Sequence, residues 1–303
     1  MNKWYYKLIL SGVIISILFA SFDFNVLKSI DINFSLFQFF TLFLLLLCSL
    51  LLRSYRWAML MNDEECNISQ LDSFKLLLVG SSLNIFLPSG AGDVAKSYYG
   101  YKWTGIKERM ISISLIDKLI AIGSLLFITP FCFYISQNSM ILIAGILSIL
   151  PFLLIFYFSH ILKINFIKRF YDIISSKSKK INLNFIVKNF NISYFTIFFS
   201  FFLSVVAWIL TYILLWFCFK IVGVNVPLFY VLSTIPFLTL GRLFPFTLNG
   251  IGSDEALMIY LFSKFSCSME PILVGALIYR IVLILVPALI GLPLIYVHSK
   301  PHE

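Results

Sequence analysis

The sequence predicts an all-α, polytopic integral membrane protein. About six full spans are expected, plus two broken re-entrant helix hairpins arranged as an inverted repeat. Three observations predict it. Of the 303 residues, 60% are hydrophobic and 12% charged, about half the charged share of a soluble domain. The mean hydropathy is +0.96, so lipid is the solvent for most of the chain. Six apolar stretches reach the length a bilayer core requires, roughly 20 residues, and two further stretches are interrupted by Gly and Pro.

Composition also excludes several classes. The net charge of +9 suits either nucleic acid or an anionic membrane surface. In so apolar a chain the membrane is the expected partner, with no nucleic acid. Cys48, Cys66, Cys132, Cys218 and Cys267 are scattered, with no C-x-x-C pair, and read as small apolar side chains. His160, His298 and His302 fall at membrane edges or in the tail. No metal site, His-based triad, Walker loop or nucleotide fingerprint is visible, so no cofactor and no catalytic residue is expected.

The elements follow in order. Residues 4–22 carry Lys3 and Lys7 ahead of an apolar run. No small-residue cleavage site follows, so this is a retained first helix and not a signal peptide. Residues 34–52 form the second span, and Arg53, Arg56 and Trp57 leave it as interfacial anchors. Asp63, Glu64 and Glu65 read as a solvated loop. The first broken pair is 72–88, with Gly80 and Pro88, then 93–110. Spans follow at 112–135 and 140–158. Residues 159–193 form a long basic connection in which Leu162, Phe166, Phe170 and Ile173 recur at helical spacing among Lys163, Lys168, Arg169 and Lys177. That pattern predicts an interfacial helix on anionic lipid. After span 194–219 the second broken pair is 228–246, with Pro236, Gly241, Arg242 and Pro245, then 254–266. The last span is 272–297. Re-entrant half-helices suit the broken pairs. Two ordinary crossings per pair are the alternative, and either count returns the chain to the same side.

Lysine and arginine set the orientation. Seven basic residues lie between 53 and 111 and seven between 159 and 193; with Lys3, Lys7 and Lys300 they make 17 of 23. The outer loops hold Lys28, Lys220 and Lys264. Both termini are therefore expected on the cytoplasmic side of the cell membrane.

The whole of 1–303 reads as one membrane domain, with pseudo-repeat halves 1–138 and 139–303. Each half contains two spans, a broken hairpin and a third span. The first break holds Pro88, Gly90, Gly92 and Asp93; the second holds Pro245, Gly250, Gly252, Asp254 and Glu255. Each has a proline, a G-x-G and an acid that opens a new helix. The following spans carry Asp117 and Lys118 in one half and Arg280 in the other. An odd number of crossings per unit inverts the second copy, and paired broken helices in inverted repeats mark transporter folds.

A helix that starts within the membrane points unpaired N–H groups and a positive dipole end into the cavity. Glycines there let a phosphate approach the backbone. Asp93 and Asp254 sit where acids cap a helix, and Glu255 is the better candidate for proton or cation coupling. Eight charges lie at membrane depth: Lys96, Lys118, Arg242 and Arg280 against Asp93, Asp117, Asp254 and Glu255. Facing lipid they would together cost on the order of 20–28 kcal/mol, so they must face inward or pair. Four against four permits complete pairing. The functional alternative has Arg280, Lys96, Arg242 and Lys118 meeting an anionic headgroup, with Gly90, Gly92, Gly250 and Gly252 allowing close approach. Arginine suits phosphate through bidentate contacts.

Taken together, Arg56 with Trp57, Asn84 through Lys96, Asp117 with Lys118, Pro245 through Glu255, and Tyr279, Arg280, Pro287 and Gly291 resemble a known family. It is the flippase-like transmembrane domain of lysylphosphatidylglycerol synthases, which also occurs as stand-alone membrane proteins. The family commonly has Gly-Glu and a later Arg where this chain has Gly92, Asp93 and Lys96. It has a double glycine in place of Asn249 and Gly250, and Glu-Arg in place of Asp117 and Lys118. Charge is kept each time. The resemblance implies movement of an anionic lipid or polyprenyl-phosphate-linked molecule between leaflets, with a partner enzyme that makes the lipid. Lysyl transfer belongs in that family to a separate soluble domain, and this chain ends at Glu303 without one, so no enzyme activity is expected. A small-solute or ion secondary transporter and a membrane-embedded lipid-phosphate transferase are the alternative expectations.

Overall fold

A computed structural model describes residues 12–13, 16, 35–62, 67–86, 91–104, 107–136, 192–243, 247, 250–266 and 268–297. Nearly all of spans 4–22 and 140–158 and of the connection 159–193 lies outside the described residues, as do Pro88, Gly90, Pro245, Asn249 and the side chains of Asp93 and Arg242. Every regular element among the described residues is helical.

Helix α1 spans Leu36–Met61. It starts at a capping box, in which Ser35 Oγ accepts the Gln38 N–H at 3.2 Å and Gln38 Oε1 accepts the Ser35 N–H at 3.0 Å. Helix α2 is Gln70–Phe86, α3 is Ala91–Thr104 and α4 is Lys107–Ser136. Helix α5, Tyr194–Ile221, is capped by Ser193 Oγ accepting the Thr196 N–H at 3.1 Å. It ends in a turn at Gly223, whose φ of +80° is open to glycine without strain. Helices α6, Leu228–Leu243, and α7, Ser253–Phe262, follow. Helix α8, Glu270–Arg280, runs through a π turn at Ile281–Leu285 into α9, Val286–Val297. Pro287 explains the π turn: it has no N–H for the helical ladder, and the backbone widens to absorb the loss.

Among the described residues three helices are long and apolar enough to cross a membrane: Leu36–Met61, Tyr194–Ile221 and Glu270–Tyr296. The protein is an all-α membrane protein. The helices of the broken pairs are shorter. At 1.5 Å per residue α3, α6 and α7 reach about 21, 24 and 15 Å, and α2 about 26 Å, against a hydrocarbon core of roughly 30 Å.

The order of elements is the same twice: a long helix, two short ones, then a long one. The packing is reciprocal. Helix α1 lies along α5, α2 lies against α9, and α6 lies against α4. Two apolar clusters fix the direction of the first pair. Leu42, Leu46 and Leu50 share one with Tyr212, Leu215 and Cys218. Trp57, Leu60 and Met61 share the other with Ile192 and Phe201. As numbers rise along α1 they fall along α5, so the two helices are antiparallel.

One expectation needs correction. Helix α1 continues nine residues past the expected end at 52, to Met61. Arg56 and Trp57 therefore sit inside a helix and inside the bundle, 5% and 1% exposed, and are not anchors at its edge. The hydropathy falls at Arg53, but the helix does not need apolar residues where a partner helix carries the matching charge.

Candidate functional site

Four helices meet at Asp117. Arg56 on α1 donates through Nε to Asp117 Oδ1 on α4 at 2.8 Å, and its Nη2 lies 2.8 Å from the same oxygen. Its Nη1 donates to Ser204 Oγ on α5 at 2.7 Å, and that hydroxyl shares a 2.6 Å hydrogen bond with Ser124. From the other side Lys96 Nζ on α3 approaches Asp117 Oδ2 at 3.5 Å. The same ammonium lies over the Trp57 ring, 5.2 Å from its centroid, a distance at which the ring face attracts a cation. Lys96 is 4% and Asp117 7% exposed. One carboxylate thus faces two cations.

Close helix contact puts Lys96 there. A Cβ on Gly92 would lie 2.5 Å from the Gly80 carbonyl oxygen and from Asn84 N, so α2 and α3 touch backbone to backbone. The Gly92 N–H donates to Asn84 Oδ1 at 2.8 Å. Ser97 and Ser114 join α3 to α4 through their hydroxyls.

The second cluster surrounds Arg280. Its Nε lies 2.5 Å from Glu255 Oε1, and its Nη2 donates to the Gly250 carbonyl at 2.9 Å and to Asp254 Oδ2 at 3.2 Å. Glu255 Oε2 accepts the Gly252 N–H at 2.8 Å, so the third helical residue caps α7. Gly250 and Gly252 have φ of +74° and +85°, where a side chain is strained. A Cβ on Gly250 would also lie 2.7 Å from Asp254 Oδ1. Asp254 and Glu255 are buried, while the Arg280 side chain is 17% exposed. Its contacts use Nε and Nη2; Nη1 makes none among the described residues.

The expected residues therefore fall into two groups. Lys96 meets Asp117, and Arg280 meets Asp254 and Glu255. Lys118 follows Asp117 on α4 and is half-buried. Asp93 lies in α3 and Arg242 in α6, with their side chains outside the described residues, and Gly90 is outside altogether. The glycines do other work than expected. The N–H groups of Gly92 and Gly252 are already bonded to Asn84 and Glu255. Gly92 serves close packing, and Gly250 and Gly252 serve a left-handed turn. Glu255, a candidate for coupling or for an ion pair, caps α7 and pairs with Arg280.

Arg56, Ser204 and Asn84 were not expected at the site. Arg56 carried the one available signal, a charge within two turns of an apolar run. Its partners are 61 and 148 residues away, so no local pattern points to them.

A membrane bundle with two buried ion-pair clusters, each beside a helix break, defines a polytopic membrane protein built around internal charge. The chain belongs to the family described as the lysylphosphatidylglycerol synthase TM region, which it matches over residues 4–291. That places it among membrane proteins of lipid handling. Comparison with curated proteins and with solved structures gives no match.

Proposed function

We propose that the protein moves an anionic lipid, or a polyprenyl-phosphate-linked headgroup, between leaflets through a central charged cavity formed between two inverted halves. One observation carries this reading: buried charge gathers at both helix breaks, on α3–α4 and on α7–α8. Ions at membrane depth are costly, and they persist where a polar group must pass. The antiparallel α1–α5 pair and the reciprocal packing of α2 on α9 and α6 on α4 support a two-fold relation that exchanges the halves. The family supports a lipid as the cargo. The protein acts in the cell membrane with both termini cytoplasmic, has no catalytic role of its own, and receives its lipid from a partner enzyme.

The test is lipid movement in liposomes and headgroup exposure in cells. Wild type is expected to move anionic lipid, and Arg280→Ala and Glu255→Gln to slow it at least tenfold at equal expression. Unchanged transport in both variants would overturn the role given to the second break. A second reading, a small-solute or ion transporter, is favoured by the two carboxylates around one guanidinium. Uptake of a solute with no lipid movement would select it.

A further inference from the structure

The rod formed by α8 and α9 reaches both breaks, and each end is tied to a different one. Helix α8 is tied to α7, where Arg280 meets Asp254 and Glu255. It also presses on α5: a Cβ on Gly275 would lie 2.6 Å from Cδ1 of the Phe219 ring. Helix α9 is tied to α2. The Ser82 hydroxyl donates to the Ala288 carbonyl at 2.6 Å, and a Cβ on Gly291 would overlap the Leu78 carbonyl oxygen. Small residues that bring backbones this close make tight helix pairs in a membrane. Helix α2 is in turn anchored to α1 in its first turn, where Ser73 donates to the Ser54 carbonyl at 2.6 Å.

Between these ties the rod is bare. None of the five side chains of Ile281–Leu285 is buried, and Ile281 and Leu285 are exposed. Val282 and Leu283 reach the apolar core only with partly buried side chains. On either side the packing is complete: Ala276 and Tyr279 are buried before the turn, Pro287 and Ala288 after it. The backbone is weakest at the same place. The Val286 N–H reaches back to the Ile281 carbonyl, one residue farther than an α-helix requires. Pro287 has no N–H to offer Leu283, four residues back. A segment with few buried contacts is the first to open, and π turns and prolines are where helices kink.

We infer that Ile281–Leu285 is a hinge, and that bending there tilts α7–α8, with the second break, against α2–α9, with the first. Neither tie crosses the joint, so both survive the bend: Arg280 stays with the acids of α7, and Ala288 stays with Ser82. Because α2 is held to α1 at its first turn, the bend swings its break end most. A cargo passing between two halves requires such a relative movement, to face one leaflet and then the other. This deepens the proposed function by naming the joint that moves; it rests on that reading only for what the movement carries.

The test is a pair of spin-label distances in the full chain, by double electron–electron resonance in phosphatidylcholine nanodiscs with and without phosphatidylglycerol. The 5 native cysteines are first replaced by alanine. Labels on Tyr260→Cys in α7 and Ile290→Cys in α9 span the joint; labels on Tyr260→Cys and Leu277→Cys in α8 lie on one side of it. All three positions are exposed. The 260–290 pair is expected to show two populations about 4 Å apart, the throw of a roughly 20° bend over two helical turns. Phosphatidylglycerol should change their proportions, and the 260–277 pair should show one population throughout. Pro287→Ala returns an N–H to the ladder without touching either cluster. It is expected to leave one 260–290 population, keep the unfolding midpoint and slow lipid movement at least fivefold. The distances in the chain with Pro287 intact need no variant of the turn. One unchanged 260–290 population there overturns the inference, as does an equal change in the 260–277 pair. Pro287→Ala that keeps both populations and the full rate of lipid movement overturns it too. Lipid movement with a single 260–290 population overturns the hinge and leaves the translocase reading standing. Two populations with no lipid movement overturn only the latter.

Discussion

The two helix breaks use the same chemical groups in opposite proportions. At the first, one carboxylate lies between two cations; at the second, one guanidinium lies between two carboxylates. The first is tied into four helices and its arginine is saturated. The second holds α7 to α8, and one guanidinium nitrogen has no contact among the described residues. In the first, Asp117 is the acid that both cations meet among the described residues. In the second, either acid can stand in for the other.

The sharpest way to break this contrast is Asp117→Asn. It takes the carboxylate away from buried Arg56 and Lys96, and removing one partner of a buried ion pair typically costs about 3–5 kcal/mol. Thermal unfolding in detergent should show the lowest midpoint of any variant considered for either cluster. A loss no larger than that of Glu255→Gln would remove the distinction.

Gly92→Ala comes next. The new methyl would meet backbone atoms of α2 as well as the Asn84 side chain, so overpacking of about 1–3 kcal/mol is expected. Restoring room with Asn84→Gly should recover little, because the Gly80 carbonyl oxygen is equally close. Full recovery would show that the crossing of α2 and α3 is looser than the geometry indicates.

Glu255→Gln should change stability least, by less than about 1 kcal/mol in the same unfolding experiment. The amide oxygen can still accept the Gly252 N–H, as a capping glutamine does, and Asp254 still faces Arg280. Its effect should appear in lipid movement. A large stability loss with unchanged transport would make the second cluster a structural clamp.

Much of the frame was legible in the sequence. Helices α5 and α8–α9 begin and end within about two residues of the apolar stretches that predict them, because a lipid-facing helix is marked by composition alone. The paired helices α2 with α3 and α6 with α7 fall on the stretches that Gly and Pro interrupt. The end of α1 was not legible. Arg53 ends the apolar run, while a buried arginine paired across 61 residues looks identical in sequence to one at the interface. The glycines show the same limit. A G-x-G reports backbone freedom and not who uses it, and here Asn84 and Glu255 use the N–H groups that a phosphate was expected to take. Lys96, Asp117, Asp254, Glu255 and Arg280 stood out in the sequence because charge is scarce, and Arg56 did not. Their division into two unequal clusters was not legible, since it depends on which helix faces which.

The π turn after Arg280 has a consequence for angular phase. Ile281–Leu285 holds an extra residue within one rod, so the helical faces before and after it are set separately. Before it, Arg280 points at α7. After it, Ala288 accepts a hydrogen bond from Ser82 on α2 at 2.6 Å, and Gly291 has no room for a methyl against Leu78 and Ser82. Removing one residue from the turn would restore a regular helix and rotate everything beyond it by about 100°. Arg280 would keep its acids, and α9 would present a different side to α2. The rod's length in residues, and not only their identity, is part of what holds the two breaks in one bundle.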